Sequence, residues 1–168
     1  RIKLEYRSPE LPEKYILYRT EQRDGREQRS DQGLLNLGDP ECRAWLTDHV
    51  DRLIKEGRIA IYRQDFNFEP LEYWLQADGE NRLGMTENLH VQGYLAYWDA
   101  LLERNPGLVI DSCASGGRRN DLETVRRSVS LHKTDADYSD FTRKQAMHYS
   151  FYQLSLIHIS EPTRPEPI

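Results

Sequence analysis

The sequence predicts an α/β fold with a parallel sheet, in which strands and helices alternate along the chain. Short apolar runs of strand length alternate with longer stretches whose apolar residues recur at helical spacing. A cluster of polar residues follows each apolar run, where parallel α/β folds place their chemistry. About four strand–helix units fit into the chain. This pattern is typical of half of a (β/α)8 barrel or of an open sheet.

The first unit of this pattern follows a polar and poorly patterned segment, residues 1–30. Residues 34–37 predict a short strand. Asp39 and Pro40 then supply an N-cap and a first-turn proline for a helix. Apolar residues continue at helical spacing until Gly57 ends the helix.

The later units repeat the same order. Residues 59–62, 108–110 and 129–131 predict the second, third and fourth strands. A short helix is predicted at 121–127, and the last helix is expected to begin near residue 139 or 140. The helix after the second strand is identified by its apolar stripe, which comprises Val91, Leu95, Trp98 and Leu102.

The composition excludes several classes of protein. Hydrophobic residues make up 38% of the chain and charged residues 30%, which is typical of a globular domain. No apolar run approaches the length of a membrane span. The net charge of −5 argues against a nucleic acid partner, which requires a basic surface. Two cysteines are too few for a disulfide framework, and we expect both to be reduced.

Residues 62–67 place a carboxylate directly after a buried strand. Asp65 is flanked by Arg63, which can bind a hydroxyl group or keep the carboxylate ionised. Asn67 can both donate and accept hydrogen bonds, as a sugar hydroxyl requires. On these residues alone, an aspartate that starts a turn at the strand end is the favoured interpretation.

Two further clusters follow later strands. Residues 111–117 are small, so the backbone there can approach a ligand closely, although a plain tight turn would need the same residues. Ser115 lacks the glycine two positions earlier that a serine hydrolase elbow requires. Residues 132–137 again place a carboxylate, Asp135, at a strand end. The five histidines show no metal-binding spacing, and we expect no metal site.

Several separated blocks carry a resemblance to a known family. They read Leu-Leu-Asn-Leu-Gly-Asp-Pro at 34–40, Tyr-Arg-Gln-Asp-Phe-Asn at 62–67, His-Val-Gln-Gly-Tyr-Leu-Ala-Tyr-Trp at 90–98, Asp-Ser-Cys-Ala-Ser-Gly-Gly-Arg-Arg-Asn-Asp-Leu-Glu at 111–123 and Lys-Thr-Asp at 133–135. In this order and spacing, they resemble glycoside hydrolase family 36. The resemblance covers about residues 31–153 and implies a partial (β/α)8 TIM barrel.

The resemblance implies a retaining α-galactosidase that acts on α-galactoside oligosaccharides without a cofactor or metal. It assigns the nucleophile to Asp65 and the general acid/base to Asp135. The positions that contact the sugar in the family fall on Arg63, Asn67, Cys113 and Gly116. The two carboxylates are expected to face a common cleft. A homo-oligomer stays open for the full-length enzyme, and the compartment is not fixed.

The chain departs from the family pattern at two motifs. The family's Lys-Trp-Asp is Arg63-Gln64-Asp65 here, and its Ser-Asp is Thr134-Asp135. Because arginine and lysine are not interchangeable donors, the first change affects sugar specificity more than catalysis. An α-N-acetylgalactosaminidase of the same family, and a catalytically inert fragment or carbohydrate-binding protein, remain alternatives.

The last residues do not resemble the family. Residues 154–164 are similar to the conceptual translation of a transposase-type sequencing adapter, and a genuine proline-rich tail is the alternative. We therefore expect residues 154–168 to be non-native and the gene to be cut off within the barrel. On this expectation, the isolated chain is catalytically inactive and poorly folded.

Overall fold

The computed structural model describes residues 2–132 together with Asp135, Lys144, Met147 and His148. The chain forms two compact units. The first, here the helical unit, comprises Arg1–Ala60 and Asn67–Leu108, and the second, the strand unit, comprises Ile61–Phe66 and Val109–Ile168. The predicted helix near residue 139 or 140 and the predicted non-native tail lie outside the described residues.

The helical unit begins with five short strands. They are β1 (Ile2–Lys3), β2 (Ile16–Leu17), β3 (Thr20–Arg23), β4 (Arg26–Arg29) and β5 (Gln32–Leu35). The strand order β1-β5-β2 forms a small antiparallel sheet. β3 and β4 form a separate hairpin, and the backbone at Asp24 and Gly25 between them has φ of 52° and 71°. Two consecutive positive φ angles are typical of a type I′ turn, which an Asp-Gly pair favours.

This arrangement corrects one prediction from the sequence. Residues 34–37 were expected to form the first strand of the parallel sheet, but β5 ends at Leu35 and both of its partners are antiparallel. β1 and β2 lie on the two sides of β5 and pair with its backbone groups. An apolar run indicates a buried strand without indicating its partners, so the direction of pairing could not be read from it.

Three helices complete the helical unit. α1 (Pro40–Gly57) begins as predicted, because the Asp39 carboxylate accepts hydrogen bonds from the backbone N–H groups of Glu41 and Cys42 at 2.8 and 3.3 Å. α2 (Leu71–Ala77) was not predicted, and α3 (Met85–Arg104) follows it. α1 packs against α3, whose Trp98 and Leu101 are fully buried.

A close contact fixes α3 against the segment after β5. A methyl group at Gly93 of α3 would lie 1.9 Å from the carbonyl oxygen of Leu37 and 3.2 Å from the backbone nitrogen of Gly38. Only a residue without Cβ allows the helix to approach the backbone this closely. This glycine lies in one of the blocks on which the family resemblance depends.

The strand unit contains the parallel sheet that the sequence predicts. β6 (Ile61–Asp65) pairs in parallel with β7 (Val109–Cys113), and the register joins Ile61 to Val109 and Asp65 to Cys113. Val129 adds a parallel bridge on the other side of β7, and α4 (Leu122–Val125) precedes it. The α/β class is thus confirmed, and β6 and β7 begin one or two residues later than predicted.

One face of this sheet is apolar at its start and polar at its end. Residues paired across neighbouring strands share a face, so Ile61, Val109 and Val129 lie on the same side as Asp65 and its neighbours. The three apolar side chains are 54%, 40% and 40% exposed.

Among the described residues, none of the helices combines the length and apolar character that a membrane span requires.

Candidate active site

Parallel pairing brings the carboxyl ends of β6 and β7 to one edge of the sheet. The register places Arg63 opposite Asp111 and Asp65 opposite Cys113, so these four side chains share one face. The backbone N–H of Phe66 donates to the carbonyl of Cys113 at 2.9 Å, which extends the ladder beyond β6. The edge where parallel α/β folds bind ligands therefore carries the carboxylate, the cation and the thiol that the sequence singled out.

Cys113 is a buried, free thiol beside Asp65. Burial is the largest cause that raises the pKa of the thiol above its ordinary value, and the charge of Asp65 and a hydrogen bond to it act in the same direction. A backbone hydrogen bond from Gly116 and the charge of Arg63 oppose these effects. The thiol thus stays protonated and can donate a hydrogen bond to the carboxylate or to a bound hydroxyl group.

Arg63 forms an ion pair with Asp111 on the neighbouring strand. Its Nη1 lies 2.5 Å from Oδ2 of Asp111, and this hydrogen bond is the main cause that raises the pKa of the guanidinium. The Arg63 side chain is 44% exposed, whereas that of Asp111 is only 4% exposed. The cation therefore has one side held by a buried partner and a large part open to ligands.

A tight turn follows β7 directly after Cys113. The backbone at Ser115 and Gly116 has φ of 50° and 75°, and the Ala114 N–H donates to the Gly116 carbonyl at 2.9 Å. Glycine accepts this conformation without strain, whereas Ser115 adopts it at some energetic cost. The small-residue loop is thus a required turn as well as a possible surface for close approach to a ligand.

Arg119 joins the segments that follow β6 and β7. Its Nη1 donates to the Phe66 carbonyl at 2.9 Å, and its guanidinium lies 4.5 Å from the centroid of the Phe66 ring. Composition did not single out this contact, because a pair of adjacent arginines more often marks a solvated helix face. The position of Arg119 within the family-like block at 111–123 was the available signal.

Asp135 follows the segment that pairs with β7. Its Oδ1 lies 3.2 Å from Nε2 of His132, and both side chains are about half exposed. Of the six residues predicted for the site, the strand unit contains Arg63, Asp65, Cys113, Gly116 and Asp135. Asn67 belongs to the helical unit. The convergence of the Asp65 and Asp135 carboxyl groups on one cleft stays a prediction.

No cluster of metal-ligating side chains occurs in the part of the chain that the structure describes. The carboxylates of the candidate site are paired with Arg63, with the Leu131 N–H group, with the Cys113 thiol or with His132. These partners are the kind that a site for hydroxyl groups of a neutral ligand would use.

No family model matches the chain. Two curated proteins named probable α-galactosidase C, from Aspergillus flavus and Aspergillus oryzae, are each 27% identical to it over 106 residues. This match covers 61% of the chain and 13% of each relative, so the chain spans a small part of their length.

Solved structures with a similar fold are also α-galactosidases. The enzyme from Lactobacillus brevis matches with a TM-score of 0.61 and 21% identity, over 73% of this chain and 16% of the other. A GH36 α-galactosidase from Geobacillus stearothermophilus matches with a TM-score of 0.61 and 19% identity, over 76% of this chain and 17% of the other. A variant of the latter was solved in complex with stachyose. The resemblance that the motifs indicated is confirmed by these relatives.

Proposed function

We propose that the protein containing this chain is a retaining glycoside hydrolase that removes terminal α-D-galactosyl groups from oligosaccharides or glycoconjugates. The observation that carries the proposal is the side-by-side placement of Asp65, Arg63 and Cys113 at the carboxyl edge of a parallel strand pair. The similarity to α-galactosidases supports the choice of sugar.

Asp65 is the proposed nucleophile. It attacks the anomeric carbon of the galactosyl group and forms a covalent glycosyl-enzyme while the bond to the leaving oxygen breaks. The charge of Asp65 is among the causes that raise the pKa of Arg63, so a guanidinium cation lies beside the proposed nucleophile. Arg63, Asn67, Cys113 and Gly116 are the proposed contacts to the sugar.

Asp135 is the proposed general acid and base. It protonates the leaving oxygen in the first step, and in the second it removes a proton from the water that hydrolyses the glycosyl-enzyme. A neutral His132 can donate from Nε2 to the Asp135 carboxylate, which holds the side chain between the two steps. The two carboxyl groups of a retaining pair are expected at about 5–5.5 Å.

The proposed architecture is a (β/α)8 barrel, of which residues 31–153 supply a part. The three exposed apolar side chains at the start of β6, β7 and the following bridge support it, because a closed barrel buries this face under further strands. In such a barrel the polar end of the same face opens to the substrate.

The experiment that tests the function uses the full-length protein containing this chain. Hydrolysis of 4-nitrophenyl α-galactoside and of stachyose should be followed, with NMR identifying the anomer released first. Asp65→Asn should abolish turnover, whereas Asp48→Asn, which changes an exposed aspartate paired with Arg104, should not. Release of the β-anomer first would contradict a retaining mechanism. Turnover of 4-nitrophenyl α-N-acetylgalactosaminide alone would contradict the proposed sugar.

A further inference from the structure

Asp111 is a buried carboxylate that joins three neighbouring segments of the sheet. It lies in β7, and its Oδ2 accepts a hydrogen bond from Arg63 of β6 at 2.5 Å. Its Oδ1 accepts one from the backbone N–H of Leu131 at 3.0 Å, on the opposite side of β7. A carboxylate that is 96% buried would be strongly destabilising without such partners, so both contacts are held firmly.

The first contact determines what Arg63 can do. A guanidinium carries five N–H donors in a planar fork, and one of them is directed at Asp111. The ion pair thereby restrains the group at one of its nitrogens, while the exposed part of the side chain keeps donors for a ligand. A lysine ammonium held by the same carboxylate would keep only two further donors on a compact group, without the planar fork of the guanidinium.

The second contact holds the chain at Leu131, a few residues before Asp135. The Val129 N–H donates to the Ile110 carbonyl at 2.8 Å, and the Ser112 N–H donates to the Val129 carbonyl at 2.8 Å. Beyond these two bonds, the Leu131 N–H is bound by the Asp111 side chain rather than by a strand. The Asp111 carboxylate therefore takes the place of a backbone partner at Leu131, in the segment that precedes the proposed acid/base.

We propose that Asp111 is a positioning residue that orients Arg63 for sugar binding and holds the segment carrying Asp135. This inference rests on the proposed function. The Asp111 carboxylate makes two contacts, here the Arg63 branch through Oδ2 and the Leu131 branch through Oδ1. Different substitutions remove them. Asp111→Asn removes the charge and the Arg63 branch but keeps an oxygen that can accept from Leu131. Asp111→Ala removes both branches.

The experiment measures kcat and KM of the full-length protein with two substrates, 2,4-dinitrophenyl α-galactoside and stachyose. Asp111→Asn should raise KM for both substrates by about tenfold, as the loss of one charge-assisted hydrogen bond would, with kcat changed by less than about threefold. Asp111→Ala should in addition lower kcat for stachyose by more than about tenfold, while the initial burst of dinitrophenol from the other substrate should be spared, because that leaving group needs little protonation.

A double-mutant cycle separates positioning from general stability. In an Arg63→Ala background, Asp111→Asn should raise KM by no more than about twofold, because the residue through which it acts is gone. Ser128→Ala is the matched control, since it removes a buried 2.7 Å hydrogen bond to the Thr124 carbonyl in the same unit. It should lower the melting temperature without changing KM. Additive effects of Asp111→Asn and Arg63→Ala, or an equal rise of KM in Ser128→Ala, would overturn the inference.

Two outcomes remain to be distinguished. If Asp111→Asn does not fold, Arg63→Lys decides, because it keeps a cation for Asp111 and changes a side chain that is 44% exposed. A raised KM with an unchanged melting temperature supports the bridging role, and an unchanged KM overturns it.

If the protein without any substitution hydrolyses neither substrate, the proposed function fails and the inference fails with it. If the protein is active but the effects of Asp111→Asn and Arg63→Ala on KM are additive, the inference fails and the proposed function stands.

Discussion

Gly93→Ala should destabilise the helical unit, because the added methyl group has no room. Its carbon would lie 1.9 Å from the Leu37 carbonyl oxygen and 2.5 Å from the carbonyl carbon, whereas real Cβ atoms essentially never come within 3.0 Å. Both neighbouring atoms belong to the backbone, so α3 must retreat by about 1 Å. Overpacking of this kind costs about 3 kcal/mol at the upper end of its usual range. Alanine's better helix propensity returns about 1 kcal/mol.

The net loss in the free energy of unfolding is therefore about 2 kcal/mol, or roughly a thirtyfold shift in the local opening equilibrium. Thermal unfolding and amide hydrogen exchange of α3 in the full-length protein would measure it. Gly57→Ala is the matched control, because its methyl group would meet only the side chain of Ile59, at 3.2 Å. That control should be neutral or slightly stabilising. Equal stability of the two variants would refute the close contact between α3 and Leu37.

Three further predictions concern catalysis, alkaline stability and the isolated chain. In the full-length protein, Asp65→Ala should abolish turnover of every α-galactoside, whereas Asp135→Ala should accumulate glycosyl-enzyme from a dinitrophenyl substrate and regain turnover with azide. Equal and complete loss in both variants, without azide rescue, would contradict the separate roles. Burial raises the pKa of the Cys42 thiol from 9.0 to about 12, so the stability it contributes should be complete below pH 9 and be lost as the pH rises towards 12. Cys42→Ala should flatten this part of a stability–pH curve measured by denaturant unfolding, and an unchanged slope would show that the thiol is not the cause. The isolated 168-residue chain should show neither a cooperative melt nor hydrolysis of an activated α-galactoside, because a barrel protects its strand edges only when it closes. A cooperative melt with measurable turnover would contradict that expectation.

Those elements that carry their own local signals were predicted well. α1 was found because Asp39 and Pro40 mark its start, and the residues of β6 and β7 stand out as short apolar runs. The polar residues after these strands led to Asp65 and Cys113, which the register indeed pairs. Signals of this kind depend on a few neighbouring residues, so they can be interpreted without knowledge of the rest of the fold.

Features that depend on distant partners were missed or misread. The apolar run at 34–37 indicates a buried strand. Its antiparallel pairing depends on two segments, residues 2–3 and 16–17, which are too short to show a pattern. The β3–β4 hairpin has almost no apolar residues, so only Asp24-Gly25 indicated it. The sequence showed Asp111 only as part of a motif. Its buried ion pair with Arg63 could not be predicted, because the register of the two strands must be known first.

The exposed apolar face of the strand unit has a consequence for how the protein is made. In the proposed barrel, Ile61, Val109 and Val129 leave the ribosome well before the further strands that would cover them. At about 5–20 residues per second, each further hundred residues of synthesis extend this interval by roughly 5–20 s. During that time the nascent chain exposes an apolar surface on its parallel strands, which is the kind of surface that chaperones shield. Because slower synthesis lengthens this interval, slow translation should lower the yield of this protein more than that of a protein whose sheet is completed early.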